Sequence, residues 1–97
     1  MAERLLILDP TVGAVPAAPV SLAPRLDTLD GKVIGLLDNT KLNADRFIAH
    51  FKAAMQRQFP TTEFLVRRKA SASRVVAADI LDELVAKCDA VIPAVGD

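Results

Sequence analysis

Apolar residues along the chain occur either in short runs or at helical spacing, and the two patterns alternate. Short apolar runs lie at residues 33–37, at 64–66 within a predicted strand at 63–67, and at 90–95, where Pro93 interrupts the run. Between them, residues 44–59 and a stretch from 75 or 76 to 88 repeat apolar side chains every three or four positions, as amphipathic helices do. This order of strands and helices forms right-handed crossovers and a parallel sheet. The pattern therefore predicts a small α/β fold of the Rossmann-like βαβαβ type with two crossover helices.

Polar residues and prolines mark the ends of these elements. The cluster Asp38-Asn39-Thr40-Lys41 closes the first run, and Asn43 is the predicted N-cap of the first helix. Asp45 falls in the first turn of that helix, where a negative charge is favourable, and Pro60 marks its end. Pro93 interrupts the third run, and a proline inside a strand belongs at an edge or a bulge.

The first 28 residues have a different character from the rest. Residues 5–8 form an apolar run that predicts a further strand, so that the sheet has three strands, or four if this one pairs with it. A proline-rich stretch at residues 10–26 excludes a helix interior and predicts an extended arm lying on the domain or on a partner subunit. We therefore divide the chain into an N-terminal strand and arm at residues 1–28 and an α/β domain at residues 29–97.

The composition favours a small cytoplasmic protein. Of the 97 residues 52% are hydrophobic, and the aromatic residues are four phenylalanines, which suits buried parallel strands rather than a surface that stacks nucleic-acid bases. Twelve basic residues balance twelve acidic ones, so neither nucleic acid nor an anionic membrane is expected as a partner. There is no apolar run of membrane-spanning length and no secretory signal pattern.

Neither cofactor binding nor metal binding is predicted. Both glycine-rich nucleotide fingerprints, Gly-x-Gly-x-x-Gly and Gly-x-x-x-x-Gly-Lys, are absent from the sequence. The single cysteine, Cys88, excludes an internal disulfide and is interpreted as a small buried hydrophobe rather than a reactive thiol. The single histidine, His50, is expected on a helix surface rather than as a catalytic base. No nucleophilic triad can be assembled from spacing, and the residues leave open whether the chain is an enzyme.

Candidate ligand-binding residues cluster where the predicted strands end. In parallel sheets, ligands bind beyond the carboxyl ends of the strands. Residues 41–74 contain eight basic and two acidic side chains, which indicates either solvated faces or an anion site. The loop after the first strand could hold a polar or anionic ligand, or its side chains could serve only turns and caps. The candidate residues are Asp38, Asn39, Thr40, Lys41, Asn43, Arg67, Arg68, Ser71, Gly96 and Asp97.

Several segments of the α/β domain resemble the UGSC family of small proteins. The most specific are Gly35-Leu36-Leu37-Asp38-Asn39-Thr40-Lys41, continued by Asn43-Ala44-Asp45, and the closing Val95-Gly96-Asp97. In that family Gly-Asp is followed by cysteine or selenocysteine and then by Gly-Ser-Cys. Leu42 and Pro93 depart from the family pattern.

The resemblance implies a function that depends on a thiol or selenol. A reactive cysteine or selenocysteine would follow Asp97, at the carboxyl end of the third strand and facing residues 38–43. Our hypothesis is that a selenocysteine codon, UGA, was translated as stop. The resemblance thus predicts redox or nucleophilic chemistry on a small thiol or anionic substrate.

Two other interpretations remain. The chain could be a non-catalytic module that binds a small anion, or it could be an accessory subunit or homo-oligomer whose arm docks on a protein partner.

Overall fold

The protein folds as a three-stranded parallel sheet with two helices. The structure is a computed structural model that describes residues 4–11, 13 and 18–96. The elements follow in the order β1 (Val33–Asp38), α1 (Ala44–Gln58), β2 (Glu63–Arg68), α2 (Ala78–Lys87) and β3 (Ala90–Ala94). The strand order is β2-β1-β3, with both pairings parallel. The predicted α/β class and the βαβαβ order are therefore confirmed.

The central strand β1 is buried on both faces because a helix covers each of them. Side chains of a strand alternate between the faces, and Ile34 and Leu36 pack with Ile48 of α1. Gly35 faces the other way, since a Cβ built on it would lie 3.0 Å from atoms of both Leu84 and Cys88 at the end of α2. A continuous apolar run such as that of β1 fits this position.

The ends of the helices differ from the prediction in detail. Helix α2 begins at Ala78 instead of near Val75 or Val76: residues 75–77 have no regular secondary structure, and the N-cap residue Ala77 has an extended backbone with φ −63° and ψ 146°. Asn43 does occupy the N-cap position of α1. Its backbone is left-handed, with φ 67° and ψ 5°, and its side chain makes no capping hydrogen bond. An N-cap residue normally has an extended backbone, so the predicted N-cap position is confirmed but its geometry is unusual.

The third strand lies at the edge of the sheet, as Pro93 indicates. Pro93 aligns with Leu37 of β1 and has no N–H group to donate. The strand ends at Ala94, one residue earlier than predicted. The chain then leaves the sheet through Val95 and Gly96.

The strand predicted at residues 5–8 is not formed. These residues have no regular secondary structure and all four side chains are exposed, so the described part of the chain contains a sheet of three strands. An isolated apolar run has no ladder partner, and pairing with a neighbouring strand is what stabilises a strand. The described residues of the arm at 10–26 lack helix and strand, while Pro16 lies outside them. The division into arm and domain stays a prediction.

Candidate functional site

Asp38 joins the loops that follow β1 and β2. It is the last residue of β1 and is only 4% exposed. One carboxylate oxygen accepts the backbone N–H of Thr40 at 2.7 Å, and the other lies 3.7 Å from Nε of Arg68. The backbone carbonyl of Asp38 accepts the N–H of Lys69 at 2.8 Å. A buried carboxylate thus has both a hydrogen-bond donor and a cation beside it, which offsets the cost of its burial.

Asn39 joins the same loop to the chain that follows β3. Its backbone N–H donates to the carbonyl of Ala94 at 2.9 Å, and its side-chain amide donates to the carbonyl of Val95 at 2.5 Å. Its side-chain oxygen accepts the N–H of Lys41 at 3.3 Å. One residue therefore orders its own loop and holds the segment that leads to Gly96.

Much of the remaining polar chemistry of the first loop serves its own turn. Thr40 has a positive φ of 66° and its hydroxyl donates to the carbonyl of Asn39 at 2.6 Å. The N–H of Ala44 donates to the carbonyl of Lys41 at 3.0 Å, and that of Phe47 donates to the carbonyl of Asn43 at 3.0 Å. Asp, Asn and Thr form such local bonds readily. The turn-and-cap interpretation thus accounts for the Thr40 hydroxyl and for the backbone of Asn43.

The two arginines predicted to begin the second loop are the last residues of β2, and they point to opposite faces of the sheet. Arg68 aligns with Asp38 in the register and lies on the α1 face, with a side chain that is 66% exposed. Arg67 aligns with Leu37 and forms an ion pair with Glu83 of α2. This alternation follows from the period of a β-strand. Arg68 therefore belongs with the Asp38 cluster, and Arg67 does not.

Ser71 is used within the basic loop. Its Oγ lies 2.9 Å from the Oγ of Ser73 and accepts the N–H of Ser73 at 3.2 Å, while its carbonyl accepts the N–H of Arg74 at 3.3 Å. These contacts form a local serine turn. The hydrogen bonds of Ser71 thus stay within this loop, and none of them reaches Arg68 or Asp38.

The third loop is only partly described. Gly96 is exposed, and a Cβ built on it would meet nothing within 4 Å. Asp97 lies outside the described residues. The carboxyl edge of the sheet thus brings together Asp38, Asn39, Thr40, Lys41, Arg68 and Gly96, and leaves Arg67 and Ser71 apart.

Two single-copy residues lie away from this edge. His50 is exposed on α1. Cys88 follows α2, and its sulfur would lie 3.0 Å from a Cβ on Gly35. Burial, with a smaller contribution from the Asp89 charge, raises the pKa of the Cys88 thiol. A raised pKa disfavours the thiolate, as the interpretation of Cys88 as a packing residue requires.

Sequence reasoning missed the backbone groups that complete this edge. The carbonyls of Ala94 and Val95 and the N–H of Lys69 hold the three loops together. Main-chain groups are present at every position, so no residue type signals their use. The side chains Asp38 and Asn39 were identifiable, but their partners depend on the strand order.

The described residues contain neither a metal-ligand cluster nor a helix that could span a membrane. Among residues 4–11, 13 and 18–96, no group of three His, Cys, Asp or Glu side chains is arranged to hold a metal ion. In the same residues, neither helix has the length and apolar character needed to cross a membrane.

Comparison with known proteins identifies a family. The sequence profile of the UGSC family matches residues 6–97, which is nearly the whole chain and includes the Asp38 loop and the exit from β3. Searches of curated proteins and of solved structures gave no match.

Proposed function

Because the chain belongs to the UGSC family, we propose that it is the scaffold of a thiol- or selenol-dependent redox or nucleophilic protein. In this proposal the reactive cysteine or selenocysteine and its partner cysteine follow Asp97 in the Cys/Sec-Gly-Ser-Cys motif. The observation that supports it best is the hydrogen bond from Asn39 to Val95, because it fixes the chain three residues before that position.

The charges at the carboxyl edge suit such chemistry. Lys41 lies on the loop after β1, which borders the exit from β3, whereas Arg68 and Lys69 lie at the end of β2, on the other side of β1. Positive charge near a thiol lowers its pKa and favours the reactive thiolate. The buried Asp38 carboxylate orients Arg68, so at least one of these cations is held at the edge.

Thiol–disulfide exchange is the redox step that this motif would perform. The thiolate or selenolate attacks one sulfur of a substrate disulfide, forms a mixed disulfide and releases the other sulfur as a thiolate. The partner cysteine, as its thiolate, then attacks the mixed disulfide and releases the second substrate thiolate. The substrate disulfide is reduced, and the protein pair is oxidised and needs a thiol reductant to return.

The first test is the nucleotide sequence downstream of the Asp97 codon. A UGA or Cys codon followed in frame by Gly-Ser-Cys is the expected result. The protein carrying that motif should reduce a small disulfide with turnover, and its Cys/Sec→Ser variant should not. A different frame with no such motif would refute the proposal.

A second candidate is a non-catalytic module that binds a small anion. The observation in its favour is the exposed guanidinium of Arg68 beside Lys69 at the carboxyl edge. Inorganic phosphate should then raise the Tm of this chain. Arg68→Ala should abolish the shift, whereas Arg67→Ala is the matched control because Arg67 pairs with Glu83 on the other face. No shift with phosphate at any concentration would argue against this candidate.

A further inference from the structure

The arm before the α/β domain exposes a row of large apolar side chains. Leu5, Leu6, Ile7 and Leu8 are 79–96% exposed, and Val20 and Leu22 are 90% and 92% exposed. The radius of gyration is 19.4 Å, whereas a compact domain of about 100 residues has about 13 Å. The arm therefore extends away from its own domain and leaves its apolar residues in water.

The domain itself carries an unpartnered apolar groove. This groove, called here the α2 groove, has a volume of about 690 Å³ and is lined by Ala70, Arg74, Val75, Val76, Ala77, Ala78 and Leu81. Ala78, Leu81 and Val85 follow each other at spacings of three and four, so they share one face of α2. Leu81 and Val85 are 48% and 74% exposed, while Leu84 on the inner face is buried. The groove thus continues along α2 as an exposed apolar stripe.

We propose that the arm of one copy docks in the α2 groove of a second copy, and that the exchange is reciprocal and forms a dimer. The apolar run at residues 5–8 fills the groove and the stripe that continues it. Prolines at positions 10, 16, 19 and 24 separate this run from the domain. Proline-rich segments are stiff and extended, at about 3.1 Å per residue, and they hold the run away from the groove of its own chain.

The area available matches what a stable dimer needs. The docked run has four large apolar side chains, Leu5, Leu6, Ile7 and Leu8. At roughly 100 Å² of apolar surface each, two runs remove on the order of 800 Å² from water and the two grooves lose a similar area, and specific interfaces bury about 1,200–2,000 Å² in total. The arms therefore supply a hydrophobic interface of ordinary size.

Charge at the two surfaces is complementary. Arg74 is the charged residue of the groove lining, and the apolar run ends at Asp9. The carboxylate of Asp9 accepts the hydroxyl of Thr11 at 2.6 Å and its backbone N–H at 2.9 Å. These bonds lower the pKa of Asp9 and keep it ionised. An anion at the end of the run and a cation at the groove favour one orientation of docking.

Sedimentation velocity over a range of concentrations tests the proposal. The wild type should dimerise as its concentration rises, and Leu6→Asp in the arm or Val85→Asp in the stripe should each weaken association about tenfold or more. Leu42→Asp is the matched control, because Leu42 is 90% exposed but lies outside both surfaces. Far-UV circular dichroism checks that each variant keeps its helices.

A mixture of the two variants distinguishes an arm that docks on a second copy from an arm that docks on its own chain. In a mixed dimer, the intact arm of Val85→Asp meets the intact groove of Leu6→Asp, so the mixture should associate more tightly than either variant alone. A mixture that stays monomeric would overturn exchange between copies. A wild type that stays monomeric would also overturn the proposal. In that case the groove would be covered by the arm of the same chain or by a different protein. Equal weakening by Leu42→Asp would overturn the assignment of these two surfaces.

Discussion

Asn39 and Val95 are joined across the carboxyl edge of the sheet by a hydrogen bond from the side-chain amide to the backbone carbonyl, although 56 residues separate them. The backbone N–H of Asn39 also donates a hydrogen bond to the carbonyl of Ala94. The residue after the central strand therefore holds the chain that leaves the edge strand.

Removing the Asn39 side chain should loosen the exit from β3. Asn39→Ala loses the bond to Val95 and the bond from Lys41, and one net hydrogen bond contributes about 1 kcal/mol to stability. We expect a loss of about 1–2 kcal/mol in urea unfolding and faster hydrogen exchange at the Lys41 N–H, which donates to the Asn39 side chain. Gln56→Ala, on the exposed surface of α1, is the control and should change neither. Unchanged stability of Asn39→Ala would contradict the role given to this side chain.

Asp38 should depend more on its hydrogen bond than on its ion pair. Asp38→Asn keeps an oxygen for the Thr40 N–H but loses the charge opposite Arg68, whose side chain is 66% exposed. Exposed partners give weak pairs, so the cost should be about 1 kcal/mol or less. Asp38→Ala also leaves a donor without its acceptor and should cost about 1–3 kcal/mol.

Urea unfolding of Asp38→Asn and Asp38→Ala measures which variant loses more stability. The comparison shows whether the hydrogen bond or the ion pair of Asp38 contributes more. Equal losses for Asp38→Asn and Asp38→Ala would make the ion pair with Arg68 the main contribution instead. Arg68→Ala then provides an independent check. It should resemble Asp38→Asn if the pair is weak.

Gly35 should be required for close packing of α2 on the sheet. A Cβ at this position would lie 3.0 Å from Cys88 Sγ, 3.0 Å from Leu84 Cδ2 and 3.2 Å from Val91 Cγ2. Overpacking of this kind typically costs about 1–3 kcal/mol. Gly35→Ala should therefore lower the free energy of unfolding by that amount, as measured with urea.

Two further variants test whether crowding by the added methyl group causes the loss of stability in Gly35→Ala. Gly13→Ala adds the same methyl group where nothing lies within 4 Å and should have little effect. Cys88→Ala removes one of the atoms in contact, so the double variant Gly35→Ala/Cys88→Ala should be more stable than the sum of the single losses predicts. Strict additivity would mean that contact with Cys88 is not the origin of the cost.

The fold was predictable because each element has a distinct pattern. The continuous apolar run of β1 and the helical stripe with Ile48 require a buried strand and a covering helix. Residues 5–8 have the same strand-like pattern but form no strand. A pattern gives the tendency of a segment, whereas a strand also needs a neighbour with which to pair.

The sequence was sufficient to predict which loops form the site, but not which side chains contact each other there. The carboxyl-end rule brings Asp38, Asn39 and Arg68 to one edge. It does not distinguish Arg68 from Arg67, because that requires the register of β2 against β1. A shift of one residue would exchange the two faces. The choice of Val95 as the partner of Asn39 likewise depends on β3 lying beside β1.

Cys88 should stay a thiol at neutral pH and make the folded protein less stable in alkali. Burial raises its pKa in the folded state, and Asp89 adds to the shift. Below the pKa of the unfolded chain both states carry the thiol, so stability is unaffected. Above it the unfolded state ionises first, and stability falls until the pH passes the higher folded pKa.

Urea unfolding at neutral and alkaline pH, for the wild type and for Cys88→Ala, measures this contribution. The stability of the wild type relative to Cys88→Ala should fall as the pH rises through that window. Alkylation of the folded protein by iodoacetamide at pH 7 should also be slower than alkylation of the urea-unfolded chain. Asp89→Asn removes the neighbouring charge but keeps an oxygen for the N–H of Val33, so it should lower the pKa of Cys88 and speed alkylation. A folded thiol that reacts as fast as the unfolded one would rule out a packing role for Cys88.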